Sequence, residues 1–354
     1  MDKKLFGLAT GIGSMPHQQT DPALRLIFKS LTEIPHWPQL PSTGEEEGFI
    51  RQYLSPLIER GLVMETAGRS PFFQTDAADW LERLTQFYTD VLAGQDDQSV
   101  ARFAFPLSAA AGFYSFMERL RQEGTGDALY LKGQLSGPVT MGFQVTDEKM
   151  QPAFYHDELR DILVRSLALQ VRWQARTLVS CGLPVILFID DPGIYGYGQS
   201  TFVGLSREAI QQSLIPLIEA AKEEGVLIGV HACAGVDWSL LFELPFDVVN
   251  IDVYHYFTSL LVYTRELDSY LARGGSLAWG IVPTSAEIES ESAESLLAKL
   301  EEQMLILEKK GVDSGRLRSQ LIFTPSCGTG SLSVAHAEHV YRILPQISQR
   351  YRKR

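Results

Sequence analysis

The residues of this chain whose types and order could do chemistry gather at the ends of apolar runs in its second half. His231-Ala232-Cys233 follows Leu227-Ile228-Gly229-Val230, and Cys327-Gly328 follows Leu321-Ile322-Phe323-Thr324-Pro325-Ser326. Asp252 closes Val248-Val249-Asn250-Ile251, and Asp190-Asp191 closes Val185-Ile186-Leu187-Phe188-Ile189. At a strand end residues i and i+2 project to the same side, so a His-x-Cys segment presents two ligands from one short stretch. Two thiolates, an imidazole and a carboxylate suit a borderline-soft, four-coordinate ion, and zinc fits that set better than magnesium or calcium. An open metal position would let an incoming thiol bind, lose its proton and become a nucleophile at neutral pH. A lone His-x-Cys is more often structural. The second cysteine and the carboxylate at equivalent strand ends are what single this one out.

A second polar segment, Thr10-Gly11-Ile12-Gly13-Ser14-Met15-Pro16-His17, follows the first apolar run. Two glycines permit close backbone approach, and exposed amides could hold a carboxylate; a plain tight turn is the competing reading. Met15-Pro16 stands where a dinucleotide fingerprint needs its third glycine, so that fingerprint is absent. Gly133-Gln134-Leu135-Ser136-Gly137-Pro138-Val139-Thr140 also lies between a strand and a helical stretch, and a structural turn is its plain reading. Cys181, just before Gly182, reads as a small buried apolar residue.

These segments need elements to position them. Eight strand candidates are Leu8–Gly11, Leu62–Glu65, Leu129–Lys132, Val185–Ile189, Val226–Val230, Val248–Ile251, Leu277–Val282 and Leu321–Phe323. Short, continuously apolar strands point to a parallel sheet buried on both faces. Between them, Leu159, Leu163, Leu167 and Val171 form a helical stripe ending near Gly182. Ser206 caps a second helix that ends at Gly225 and carries a kink-prone Pro216. Leu296, Leu300, Met304 and Leu307 mark another, stopped by Gly311. Eight β-α units favour an α/β fold of the (β/α)8 TIM-barrel type, with an open doubly wound sheet as competitor. No linker divides the chain, so a single domain over 1–354 is expected. The Pro-rich stretch around 34–71 reads as an insertion.

Composition agrees with a folded catalytic or binding domain. The chain has 354 residues, 45% hydrophobic and 21% charged, with 31 basic against 43 acidic residues and a net charge of −12. An acidic chain gains nothing from counterion release, which argues against nucleic acid as a partner. The basic end Arg350–Arg354 reads as a solvated helix tail. No run approaches the roughly 20 apolar residues that span a bilayer, so no membrane partner and a cytoplasmic location are expected. Three cysteines are too few for a disulfide scaffold.

Four segments together resemble the catalytic barrel of the cobalamin-independent methionine synthase family, part of a superfamily shared with uroporphyrinogen decarboxylase. Ile12-Gly13-Ser14-Met15-Pro16 is similar to the family's Ile-Gly-Ser-Phe-Pro, and Leu135-Ser136-Gly137-Pro138-Val139-Thr140 to its Leu-Thr-Gly-Pro-Val-Thr. Ile189-Asp190-Asp191-Pro192 is similar to Ile-Asp-Glu-Pro. His231-Ala232-Cys233 with Pro325-Ser326-Cys327-Gly328 matches the His-x-Cys and Pro-Asp-Cys-Gly zinc motifs. The resemblance implies a zinc-dependent methyltransferase that moves a methyl group to homocysteine to give methionine. It implies His231, Cys233 and Cys327 as zinc ligands. Ile251-Asp252 stands where the family has its Ile-Glu fourth ligand, with the side chain one methylene shorter, and His255 is a possible substitute. Ile12 and Ser14, with Gly13 between them, would hold the substrate carboxylate, Asp190 its amine, and Glu65 a second contact to that amine.

Departures from the family bear on the methyl donor. The family's second, N-terminal barrel-like half has no counterpart here. Gly328-Thr329-Gly330-Ser331-Leu332-Ser333 replaces the basic stretch expected after the last cysteine motif. Gly280-Ile281-Val282-Pro283 lacks the histidine expected as proton donor. A polyglutamylated folate benefits from positive charge that this chain does not offer there. The resemblance therefore favours a methyl-corrinoid donor, a corrinoid protein or methylcobalamin, over folate. Two other readings stand beside it: a corrinoid-dependent methyltransferase with another thiol acceptor such as coenzyme M, and a non-catalytic zinc- or thiol-binding protein on the same barrel. A uroporphyrinogen decarboxylase would want arginines near its first strand, and Thr10–Asp21 has none.

Overall fold

The Val- and Ile-rich runs pair side by side in the computed structural model, which describes residues 5–94 and 96–353. In chain order the strands are β1 (Val63–Thr66), β2 (Arg69–Phe73), β3 (Leu131–Ser136), β4 (Thr146–Asp147), β5 (Val185–Asp190), β6 (Leu227–Ala232), β7 (Val248–Ile251), β8 (Ser276–Val282) and β9 (Leu321–Pro325). Six of them form one curled parallel sheet in the order β3-β5-β6-β7-β8-β9. That order never reverses, whereas a doubly wound sheet needs a reversal at its switch point. The doubly wound reading is thereby excluded. The architecture is mixed α/β.

Both edges of this sheet are extended by short segments. Beyond β9, Gly7 donates to Leu321 O (2.7 Å), Phe323 to Leu8 O (2.8 Å) and Thr10 to Phe323 O (3.0 Å), around a parallel Ala9–Phe323 bridge. Beyond β3, Lys132 donates to Pro35 O (2.9 Å), around a parallel His36–Lys132 bridge. A Ser14–Gln39 bridge joins these two segments to each other. The expected first strand, Leu8–Gly11, is thus present as one bridge with flanking bonds. Pro35 and Pro38 disguise the other segment, because proline cannot donate to a ladder.

The expectation for Leu62–Glu65 is corrected by the structure. This run enters β1, which folds back on β2 as an antiparallel hairpin pairing Thr66 with Arg69. The hairpin joins β4 in a separate three-stranded sheet. Gly68 turns the chain with φ +77°, a conformation that costs glycine little. The burial of β1 alternates and leaves Met64 and Thr66 outward, as suits a half-covered strand rather than one buried on both faces.

The helices follow their stripes. Asp157–Val179 buries Leu159, Leu163, Leu167 and Val171. Arg207–Glu223 starts where the Ser206 hydroxyl accepts from Ala209 N (3.1 Å), and it runs on through Pro216. Ala293–Lys309 buries Leu296, Leu300, Met304 and Leu307. These helices pack against one face of the sheet, contacting β5, β6 and β8. Among the described residues no helix is long and apolar enough to cross a membrane.

Alternation along each strand sorts the two faces. Leu187, Ile189, Val230, Val249 and Ile251 belong to the large core that includes the helices. Ile186, Phe188, Val248, Ala278 and Ile322, the alternate positions, form a second apolar cluster on the opposite, concave face. Towards the carboxyl ends that concave face becomes polar, with Lys132, Gln134, Asp190, His231, Asn250 and Thr324 all buried. Gly280 sits in β8 between its neighbours; a Cβ there would lie 2.7 Å from the Ile251 carbonyl oxygen and 3.1 Å from that of Pro325. Gly280→Ala should therefore lower stability by about 1–3 kcal/mol, measured by urea unfolding, with little change expected for an alanine in an exposed turn.

Candidate metal centre

Register brings the polar strand ends together. Asp190 of β5 pairs with His231 of β6, and His231 with Asn250 of β7. Cys233 lies two residues beyond His231, and Cys327 two beyond the end of β9. The ligating atoms of His231, Cys233 and Cys327 all lie within 4.8 Å of one another, so the three could hold one metal ion. His231 is buried, whereas both cysteines are partly open to solvent.

The imidazole is oriented by a neighbour. Asn250 gives its amide nitrogen to Ala278 O (2.8 Å) and Thr324 Oγ1 (2.6 Å), which turns its carbonyl oxygen towards His231 Nδ1. Nδ1 must therefore be the protonated nitrogen that donates to Asn250, leaving Nε2 with a free lone pair. That Nε2 is buried with no hydrogen-bond partner in the protein. A buried acceptor left alone is costly, and a histidine whose other nitrogen is tied down in this way is the form that binds metals. The two thiols meanwhile compete for one proton. The hydrogen bond from Cys327 and then the nearby imidazole hold Cys233 down to about 4, while that bond and burial push Cys327 up. The donor set of one imidazole and two sulfurs fits a soft or borderline cation.

Two carboxylates lie beside the cluster and differ in how they are satisfied. Asp190 is buried, and its Oδ1 has no partner in the protein. Burial raises it to about 6, against the pull of His231 and Lys132. Asp252 is also buried and raised by burial, but its oxygens accept from the backbone N–H (3.0 Å) and Nδ1 (2.9 Å) of His255. The group of close ligating atoms thus contains neither Asp252 nor His255, the two residues considered for a fourth ligand. Glu65 lies in the hairpin and gives both its oxygens to Arg51, in a cleft lined also by Ser55 and Pro106. Its strand belongs to the hairpin sheet and not to the parallel sheet that carries His231.

The turn at residues 11–14 is brought close to the Cys327 loop. Thr329 donates to Ser14 O through both N (2.9 Å) and Oγ1 (3.0 Å), and a Cβ on Gly328 would lie 2.0 Å from Ser14 Oγ. Gly13 has φ +155°, and a Cβ there would meet Gln39 at 2.6 Å and Gln134 at 2.8 Å. The segment Gly133–Thr140 has a different, structural role. Asp191 caps its helix, accepting from Val139 N (3.0 Å), Thr140 N (2.7 Å) and Thr140 Oγ1 (2.6 Å).

No family model matches the sequence, and no curated protein matches it significantly. Among solved structures the chain is similar to a proposed vitamin-B12 independent methionine synthase from Listeria monocytogenes. That match has 17% identity, covers 66% of this chain and 69% of that one, and has a TM-score of 0.45. It is also similar to dihydropteroate synthase from Thermus thermophilus, at 15% identity, 71% and 90% coverage and a TM-score of 0.26. The same enzyme in complex with 6HMPPP gives 14%, 68%, 88% and 0.26.

Asn250, Thr324, Lys132 and Gln134 were not singled out in the sequence. Their signal is a polar residue in the middle of an apolar strand at the parity shared with His231. Asn250→Ala should leave Nδ1 unanchored and weaken metal binding by about 10–100-fold, read by competition with a chromophoric chelator, while the fold persists by circular dichroism.

Proposed function

We propose that the chain is a zinc-dependent methyltransferase acting on the thiol of homocysteine. The observation that carries this reading is one place holding an unpartnered, correctly oriented His231 Nε2, two close cysteine sulfurs and an unpartnered Asp190 oxygen. His231, Cys233 and Cys327 would be the protein ligands, which leaves a position for substrate sulfur. Zinc held there would keep a bound thiol deprotonated at neutral pH. Asp190 would take the substrate ammonium, and the 11–14 turn its carboxylate. Together these contacts would fix the sulfur facing the donor, so orientation rather than a general base is this chain's contribution. The bridges at both edges of the six-stranded sheet support reading the architecture as an eight-stave barrel. Asp252, held by His255, would lie outside the three-residue ligand set.

The methyl donor proposed is a corrinoid, free or protein-bound, because the Gly328–Ser333 stretch after the last cysteine has none of the basic residues that a polyglutamylated folate would use. Asp190 favours an amino-acid thiol over a sulfonate thiol such as coenzyme M, since a carboxylate repels a sulfonate and has no use without an ammonium.

The purified protein should carry about one zinc per chain by elemental analysis. Replacing both Cys233 and Cys327 by Ser should abolish zinc retention and homocysteine binding; full methyl transfer by that variant would sink the reading. Asp190→Asn should weaken homocysteine at least about tenfold yet leave coenzyme M binding unchanged or stronger, in calorimetric titrations of the zinc-loaded protein. Equal effects on both thiols would count against an amine contact.

A further inference from the structure

Lys132 is the second residue of β3, fully buried, where an ammonium is rarely tolerated unless paired. Its Nζ donates to Ile12 O (2.5 Å) and Gln134 Oε1 (3.1 Å) and lies 4.9 Å from the centre of the Phe188 ring. Burial holds it down to about 8, with Asp190 the charge that favours its protonated form. No carboxylate touches it directly among the described residues. What it touches is the back of the 11–14 turn.

That turn has a one-sided pattern of hydrogen bonding. Three of its four carbonyls are used by the protein: Ile12 O by Lys132, Gly13 O by Gln39 N (3.0 Å), and Ser14 O by Thr329. Among the described residues the amides of Gly11, Ile12, Gly13 and Ser14 have no hydrogen-bond partner, although Gly11, Ile12 and Gly13 are buried. Buried amides without partners are rare in folded proteins, and successive free N–H groups in a turn can hold an anion. The peptide unit whose oxygen Lys132 holds is the one whose N–H belongs to Gly13. A cationic donor on that oxygen polarises the whole unit and makes its N–H a stronger donor.

We propose that Lys132 is a positioning and polarising residue: its ammonium, acting through the Ile12–Gly13 peptide, makes the 11–14 amides selective for the carboxylate of an amino-acid thiol. The inference rests on the thiol-acceptor reading above and adds to it the source of carboxylate selectivity. It assigns the positive charge to a side chain that never touches the ligand. Gln134 is the other half of the arrangement, because it both accepts from Lys132 and packs against Gly13.

The test uses the zinc-loaded full chain and two probes: homocysteine, and aminopropanethiol, which is homocysteine without its carboxylate. Lys132→Met removes charge and donor, while Lys132→Gln keeps a neutral donor. Calorimetry should show homocysteine affinity falling about tenfold or more in the Met variant and less in the Gln variant. Aminopropanethiol affinity and zinc content should stay within about twofold of wild type. An equal loss for both thiols, or no loss for either, overturns the proposal, because a purely structural lysine would not distinguish them. Wild-type protein that retains zinc but binds neither thiol would instead overturn the thiol-acceptor reading, and this inference with it. Should neither variant fold, the wild-type preference for homocysteine over its neutral carboxamide decides the matter. A preference above about tenfold supports the polarised cradle, and one below about twofold overturns it.

Discussion

A primary amide buried in mid-strand has to find partners on every side, and Asn250 finds them on three other strands of the sheet. It meets His231 on β6, Ala278 on β8 and Thr324 on β9. The direction of its carbonyl decides the tautomer of His231, and the tautomer decides whether Nε2 can bind anything. The arrangement holds only if β6 to β9 keep one register. A slip by one residue would send Asn250 and His231 to the helix-covered face and replace them with Val249 and Val230. The cluster is therefore as precise as the sheet is, and it takes its rigidity in part from strands that contribute none of its three residues.

The same alternation governs the charges. On the concave face an apolar layer built from Ile186, Phe188, Val248 and Ile322 lies beneath a polar one. Lys132 sits where the layers meet, with a ring below it and a peptide oxygen above. Asp190 brings a carboxylate into the same volume, and the buried ammonium favours its ionised form. Asp191, the next residue along, points elsewhere and spends its charge capping a helix. Two adjacent aspartates thus do unrelated work because consecutive residues at a strand end face different neighbours.

Much of this was legible in the residues. Val185–Ile189, Val248–Ile251 and Leu321–Phe323 read as strands because they are continuously apolar, and they lie within β5, β7 and β9. His231, Cys233 and Cys327 could be picked out because their spacing needs only strand parity, and the structure brings them together. Leu62–Glu65 misled because four apolar-rich residues do not reveal whether one face or both will be covered. Residues 33–39 were hidden because their pairing uses carbonyls next to prolines, which carry no strand signature. Lys132 and Asn250 looked like interruptions of apolar runs; their meaning depends on which strands flank them, and no local pattern encodes that. Asp252 and His255 stayed open in the sequence, and they proved to be bonded to each other.

The contact between Ser14 and the Gly328-Thr329 turn joins segments more than 300 residues apart. During synthesis the first strand segment emerges early and must wait for β9 before its edge is paired. The 11–14 turn is finished only when Thr329 arrives to take the Ser14 carbonyl, and Cys327 arrives in the same few residues. Such long-range closure is slow to form and leaves apolar edges uncovered meanwhile. A chain cut before Cys327 would have neither all three residues of the His-Cys-Cys cluster nor the finished turn. One closing contact supplies both.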